Sequence, residues 1–169
     1  MRPKLSLKGR ALQCLAQREH SRVELRRKLL RHLRDERQKA PHEDASEPER
    51  PAVDLQAEVD AVLDWLQAQR YLSDERFVES RVHARSARYG NLRIRQELSQ
   101  HGVELTPTIA QELRHNEAAR ASDVRQRTFG ALPVTPAERS RQARFLAGRG
   151  FSAEVIWQVL RGAADDENL

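Results

Sequence analysis

The run Arg70-Tyr71-Leu72-Ser73-Asp74-Glu75-Arg76-Phe77, followed by Tyr89-Gly90 and then Arg93-Ile94-Arg95-Gln96-Glu97-Leu98, decides how this chain folds. A helix ends at Tyr71-Leu72, and Ser73-Asp74 supplies side-chain oxygens that cap the next. Gly90 breaks that second helix, which the pattern places over residues 75–89, and a basic third helix follows. Outward from this run, apolar residues recur at helical spacing in both directions. Leu7, Ala11 and Leu15 step by four, as do Leu25, Leu29 and Leu33 after the cap candidate Ser21; Leu55, Val59, Val62, Leu63 and Leu66 form a third stripe. Asn91 opens a helix with Ile94 and Leu98 inward, stopped at Gly102. Thr106-Pro107 opens another, with proline at the first turn where its missing N–H costs nothing. Residues 117–129 continue the pattern, Thr135-Pro136 starts a helix that runs to Gly148-Arg149-Gly150, and Ser152 caps the last. No stretch alternates with the period of a strand, so the fold class expected is all-α.

The grammar repeats. Leu98-x-x-x-Gly102-Val103 matches Leu146-x-x-x-Gly150-Phe151, and Ser21-x-x-Glu24-Leu25-x-x-x-Leu29 matches Gly90-x-x-Arg93-Ile94-x-x-x-Leu98. The period predicts three tandem three-helix units in an elongated, curved modular arrangement, each unit burying mainly its contacts with its neighbours. Their expected bounds are residues 1–72, 73–115 and 116–162, with a disordered acidic tail over 163–169. Residues 35–53 hold three prolines and almost no large apolar side chain, and they read as a flexible acidic linker inside the first unit. The second helix accordingly ends near Leu33-Arg34.

The net charge of +5 is unevenly spread: residues 1–34 carry +9, residues 35–64 carry −7, and residues 65–102 carry +3. Arginine dominates the positive stretches, and its planar guanidinium suits phosphate and carboxylate partners. Cys14 is the only cysteine, which leaves no internal disulfide and points to the cell interior. There is no apolar run of membrane-spanning length and no signal-peptide core, so a cytoplasmic, soluble protein is expected. Catalytic constellations are missing from the pattern. There is no nucleophile elbow, no phosphate-cradling loop and no dinucleotide fingerprint, and the six histidines lack zinc-ligand spacing. Neither a cofactor nor a metal is implied, and an enzyme is not expected.

The arginines are the better lead. Arg27, Arg31 and Arg34 fall opposite Leu25, Leu29 and Leu33 on their helix. Arg81, Arg85 and Arg88 stand at i, i+4 and i+7 as one stripe, with Arg93 and Arg95 directly after. Partner binding is therefore assigned to Arg27, Arg31, Arg81, Arg85, Arg88, Arg93 and Arg95. Asp74, Arg76, Phe77, Gly90, Gly102, Gly150 and Phe151 read as structural, fixing caps and helix junctions.

Taken in order, Tyr71-Leu72-Ser73-Asp74-Glu75-Arg76-Phe77, Tyr89-Gly90, Ile94-Arg95-Gln96-Glu97-Leu98 and Phe145-Leu146-x-x-Arg149-Gly150-Phe151-Ser152 resemble the bacterial RecX regulatory proteins. His20-Ser21-x-x-Glu24-Leu25-x-x-Lys28-Leu29 is similar to that family's opening unit, and the likeness spans about residues 7–162. The resemblance implies a protein that binds the RecA recombinase and its filament on single-stranded DNA, and a monomer is expected. It implies effects on filament assembly, ATP hydrolysis and strand exchange, hence on recombination, DNA repair and the SOS response, with weak direct DNA binding in some members. The alternative is a helical-repeat protein acting directly on DNA or RNA. No interleaving of aromatic rings with the arginines is expected, which counts against strong base stacking on single strands.

Overall fold

The computed structural model describes residues 5–39 and 52–161. Nine helices and no strand occur among the described residues: α1 Leu7–Gln17, α2 Arg22–Lys39, α3 Ala52–Ala68, α4 Asp74–Ser86, α5 Asn91–Gln100, α6 Pro107–His115, α7 Glu117–Phe129, α8 Pro136–Gly148 and α9 Ala153–Arg161. By internal packing the chain divides into two units, Met1–Phe77 and Val78–Leu169.

In the first unit α1, α2 and α3 pack on one another. Their shared core is Ala11, Leu25, Leu29, Val59, Val62, Leu63, Leu66 and Leu72, the apolar stripes read from the sequence together with the residue after the α3 turn. Burying such side chains contributes about 1.5–3 kcal/mol each, which offsets the cost of ordering a chain so rich in charge. Ser6 caps α1 through the amide of Gly9, and Ser21 caps α2 through the amide of Glu24 at 3.1 Å. Asp74 has a less local role than its position predicts. Its carboxylate accepts the first amide of α2, Arg22 N, at 2.8 Å, while Ser73 alone accepts from Arg76 N at the start of α4. Arg76 ties the same corner, donating to Glu19 Oε1 at 2.9 Å and to the Tyr71 carbonyl at 3.0 Å.

In the second unit α7, α8 and α9 pack mutually around Ala121, Val124, Leu146, Phe151, Ile156 and Leu160. The small Ala121, fully buried, lets α7 lie close to its neighbours, so a weakly apolar sequence still makes a core helix. Thr135 and Glu138 form a reciprocal capping box at α8. The two backbone amides that Glu138 accepts, from Val134 and Thr135, hold its carboxyl below the ordinary range.

Two sequence expectations need correction. The linker over residues 35–53 is too long: residues 35–39 extend α2 to Lys39, and α3 opens at Ala52. Asp35-Glu36-Arg37-Gln38-Lys39 lacks large apolar residues but is built largely of helix formers. His32 and Glu36 sit one turn apart at 3.8 Å, and Arg37 and Lys39 oppose the helix dipole in the last turn. The remainder of that segment, and the acidic tail, lie outside the described residues. The helix expected over 75–89 also stops early, at Ser86. The amides of Arg88 and Tyr89 both turn back to the Arg85 carbonyl at 3.0 Å. The carbonyls of Ser86 and Tyr89 are taken by the guanidinium of Arg120, at 3.1 and 2.9 Å. A side chain from α7 thus caps α4, and Arg88 lies in the turn beyond it.

Among the described residues the repeated helix-ending turn occurs three times, where the sequence pattern shows two. Val103 N bonds the Leu98 carbonyl at 3.1 Å and Phe151 N bonds that of Leu146 at 3.2 Å, with Gly102 and Gly150 left-handed at φ 70° and 83°. Tyr71 N bonds the Leu66 carbonyl at 2.9 Å in the same way, and the left-handed position there is Arg70, φ 59°. Each is the turn in which an amide beyond the helix reaches back to an orphan carbonyl. An arginine in the glycine slot hides the third copy from sequence inspection.

Candidate functional site

Gly90 and Gly150 meet in the second unit. Gly90 N donates to the Arg149 carbonyl at 3.0 Å, and Leu92 N donates to the Gly150 carbonyl at 3.1 Å. A Cβ on Gly90 would lie 2.2 Å from the Gly150 oxygen, and one on Gly150 would lie 2.5 Å from Arg93 Cβ. Gly90 itself is extended, φ −78°, so close backbone approach rather than a special dihedral requires it. The start of α5 is thereby fixed against the α8–α9 turn, which brings Arg93 and Arg149 to the same place.

That place is the ring of Tyr89. The guanidinium carbons of Arg85, Arg93 and Arg149 lie 5.6, 5.1 and 5.5 Å from its centroid. Arg149 also covers Phe145 at 5.0 Å; Phe145 meets Phe129 edge-on at 5.2 Å, and Arg141 lies 5.6 Å from Phe129. The result is a surface on which arginines alternate with half-buried aromatic rings, held by cation–π attraction of about 0.5–1 kcal/mol each where exposed. The sequence expectation of no interleaved aromatics is overturned: Tyr89 stands within the Arg81–Arg95 run itself, and Phe129, Phe145 and Arg149, remote from that run in sequence, are brought beside it. Of the residues sequence reading missed, Arg149 has the clearest signal: it stands beside Gly150 in the repeated turn.

The seven assigned arginines are divided between the two units. Arg27 and Arg31 are exposed on α2 in the first unit. In the second unit Arg81 is half-buried with Nη2 3.0 Å from His101 Nε2. Arg85 Nε lies 2.9 Å from Glu97 Oε2, off the line a hydrogen bond needs, so that contact is charge attraction alone. Arg93 makes a looser pair with the other Glu97 oxygen at 3.8 Å. Arg88, Arg93 and Arg95 are exposed. Arg81 and Arg85 therefore spend much of their charge inside the unit, while Arg88, Arg93 and Arg95 present theirs outward.

Behind this surface lies a buried polar cluster that no local motif announces. Glu117 accepts from Asn91 N and Nδ2, both at 2.9 Å; Asn91 Nδ2 also reaches the Leu113 carbonyl at 3.0 Å, and Arg120 donates to that same carbonyl at 3.1 Å. Burial pulls the Arg120 pKa down from its ordinary value, and the negative charge of Glu117 opposes that shift. Through Arg120 the cluster fixes the turn that carries Tyr89. Among the described residues no group of three or more His, Cys, Asp or Glu side chains is placed to hold a metal ion, and no helix is long and apolar enough to cross a membrane.

Fold and surface together define an all-helical repeat protein with arginines set among aromatic rings on its second unit. Comparison with known proteins identifies its kin. Residues 73–104 match the family description "RecX, second three-helix domain", and residues 116–160 match "RecX, third three-helix domain". The chain is 48% identical over 170 residues to the regulatory protein RecX of Leptothrix cholodnii, covering 99% of this chain and 94% of that one. It is 43% identical over 164 residues to that of Ralstonia pickettii, covering 96% and 91%. The crystal structure of RecX from Lactobacillus salivarius shares the fold, with a TM-score of 0.62 at 17% identity over 92% of each chain. The chain belongs to the RecX family of regulatory proteins.

Proposed function

We propose that this protein binds the RecA recombinase and the filament it forms on single-stranded DNA. In this reading it restrains filament assembly, ATP hydrolysis and strand exchange, and so tunes recombination, DNA repair and the SOS response. The observation that carries the reading is 43–48% identity, over nearly the full chain, to regulatory RecX proteins. The three-helix units bounded at residues 72, 115 and 162 act as its modules, the protein works as a monomer in the cytoplasm, and it performs no chemistry of its own. The exposed Arg88, Arg93 and Arg95 make the principal contacts of the second unit, Arg27 and Arg31 those of the first, and Arg81 and Arg85 support them from within.

Binding to fluorescently labelled RecA filaments tests the assignment. Replacing Arg88, Arg93 and Arg95 together by alanine weakens binding at least about tenfold, equivalent to 1.4 kcal/mol, with circular dichroism unchanged. Unaltered binding overturns the arginine assignment. A second reading, direct contact with single-stranded nucleic acid, is favoured by the Tyr89 ring among three arginines. Its mark is affinity for an oligonucleotide alone that falls steeply with salt and falls further in Tyr89→Ala.

A further inference from the structure

Between α8 and α9 runs an apolar groove of about 350 Å³ that shares no residue with the Tyr89 surface. Its floor is Ala143 and Ala147 from α8 with Ile156 and Leu160 from α9, and Trp157 stands over it. Trp157 is 61% exposed. The fold does not need it there: Ile156 and Leu160 already supply the inward face of α9, with Val155 and Val159 beside them. Large aromatic side chains left in contact with water beside an apolar groove are characteristic of surfaces that a partner covers. Among the described residues the charged side chains that line it have one sign. Arg139, Arg144 and Arg161 line the groove, and Arg161 stacks its guanidinium 3.5 Å from the centroid of the Trp157 ring. Among the described residues none of the three arginines is in an ion pair, although salt bridges are frequent elsewhere in the chain.

We infer that the α8–α9 groove is a docking site for an acidic peptide segment of a protein partner, one that inserts large apolar side chains between Trp157 and Ala147 and sets carboxylates against Arg139, Arg144 and Arg161. Charge complementarity selects the occupant: an apolar floor inside an arginine rim matches a segment with apolar anchors among Asp and Glu, the helix-in-groove mode of recognition. Single-stranded nucleic acid fits less well, because it needs successive aromatic platforms for its bases, and here the floor beside the single indole is aliphatic. The inference does not depend on the partner being RecA.

The test uses the full chain and a short fluorescein-labelled peptide with Leu and Phe at i and i+4 and Glu at most other positions, beside the same peptide with Lys for Glu. The acidic peptide binds and the basic one does not. Trp157→Ala and, separately, Arg144→Glu each weaken binding at least about tenfold, and raised salt weakens it in the wild type. Both substitutions are at exposed side chains, and circular dichroism confirms that helicity is kept. Equal binding of the two peptides overturns the inference, as does indifference to both substitutions. Sedimentation and oligonucleotide titration complete the set. A concentration-dependent dimer abolished by Trp157→Ala, or oligonucleotide binding lost in Trp157→Ala while the acidic peptide is ignored, also overturns it.

Discussion

Replacing Gly90 by alanine sets one added carbon against backbone that cannot yield. The new Cβ would stand 2.2 Å from the Gly150 oxygen and 2.3 Å from Phe151 N. Relief requires the α5 start and the α8–α9 turn to part, which breaks the bonds Gly90 N to Arg149 O and Leu92 N to Gly150 O. Overpacking costs about 1–3 kcal/mol, and each lost backbone bond adds about 1 kcal/mol, giving about 3–5 kcal/mol. For a unit of this size that lowers the melting temperature by more than about 10 °C. Hydrogen exchange read by mass spectrometry localises the effect, with faster exchange around Leu92 and Phe151 and unchanged protection in α1–α3. Gly148→Ala is the control: nothing lies within 4 Å of its Cβ, and in a helix alanine gains about 0.5–1 kcal/mol over glycine. A Gly90→Ala protein that melts with the wild type would refute the reasoning.

Three further outcomes follow from the same geometry. Arg70→Gly, at φ 59°, removes the left-handed penalty of about 1–2 kcal/mol against a smaller entropic loss, so the first unit melts a few degrees higher; an unchanged or lower melting point contradicts this. Glu117→Ala leaves two Asn91 donors without their acceptor and removes the negative charge near the half-buried Arg120, costing about 2–4 kcal/mol in urea denaturation, whereas Glu117→Gln, which retains an acceptor, costs less; equal effects contradict the hydrogen-bond argument. His20 is fully buried, with its ring bonded to the Arg18 carbonyl and to Lys28 Nζ, and burial holds its pKa below the ordinary 6.5. The unfolded chain therefore takes up the proton first, and the first unit loses stability as pH falls through 6.5 towards the folded value. Urea midpoints lower at pH 5.5 than at pH 7.5 are expected, and equal midpoints refute it.

Helix starts were legible where chemistry is local. Thr106-Pro107, Thr135-Pro136 and Ser152 announce α6, α8 and α9 because a cap and its amides lie within one turn, and the i, i+4 leucines name the core of α2 and α3. What stayed hidden depends on residues distant in sequence. The Asn91–Glu117 bonds span 26 residues, and Arg120 reaches back 34 to cap α4 at Ser86. Gly90 was identified as a break, yet its requirement comes from Gly150 pressing on it. The candidate surface was half visible: the run of arginines is plain, but that Arg81 and Arg85 turn toward His101 and Glu97, and that Arg149 and Phe145 join Tyr89, is set by tertiary packing.

Hydrolysis of ATP by RecA on single-stranded DNA, followed while this protein is added in substoichiometric amounts, tests the central claim most directly. The account predicts that hydrolysis falls at concentrations far too low to coat the DNA, and that the Arg88, Arg93 and Arg95 triple-alanine protein has lost most of this effect. Unchanged hydrolysis at a ratio where the protein binds the bare oligonucleotide would contradict it and assign the arginine surface to DNA.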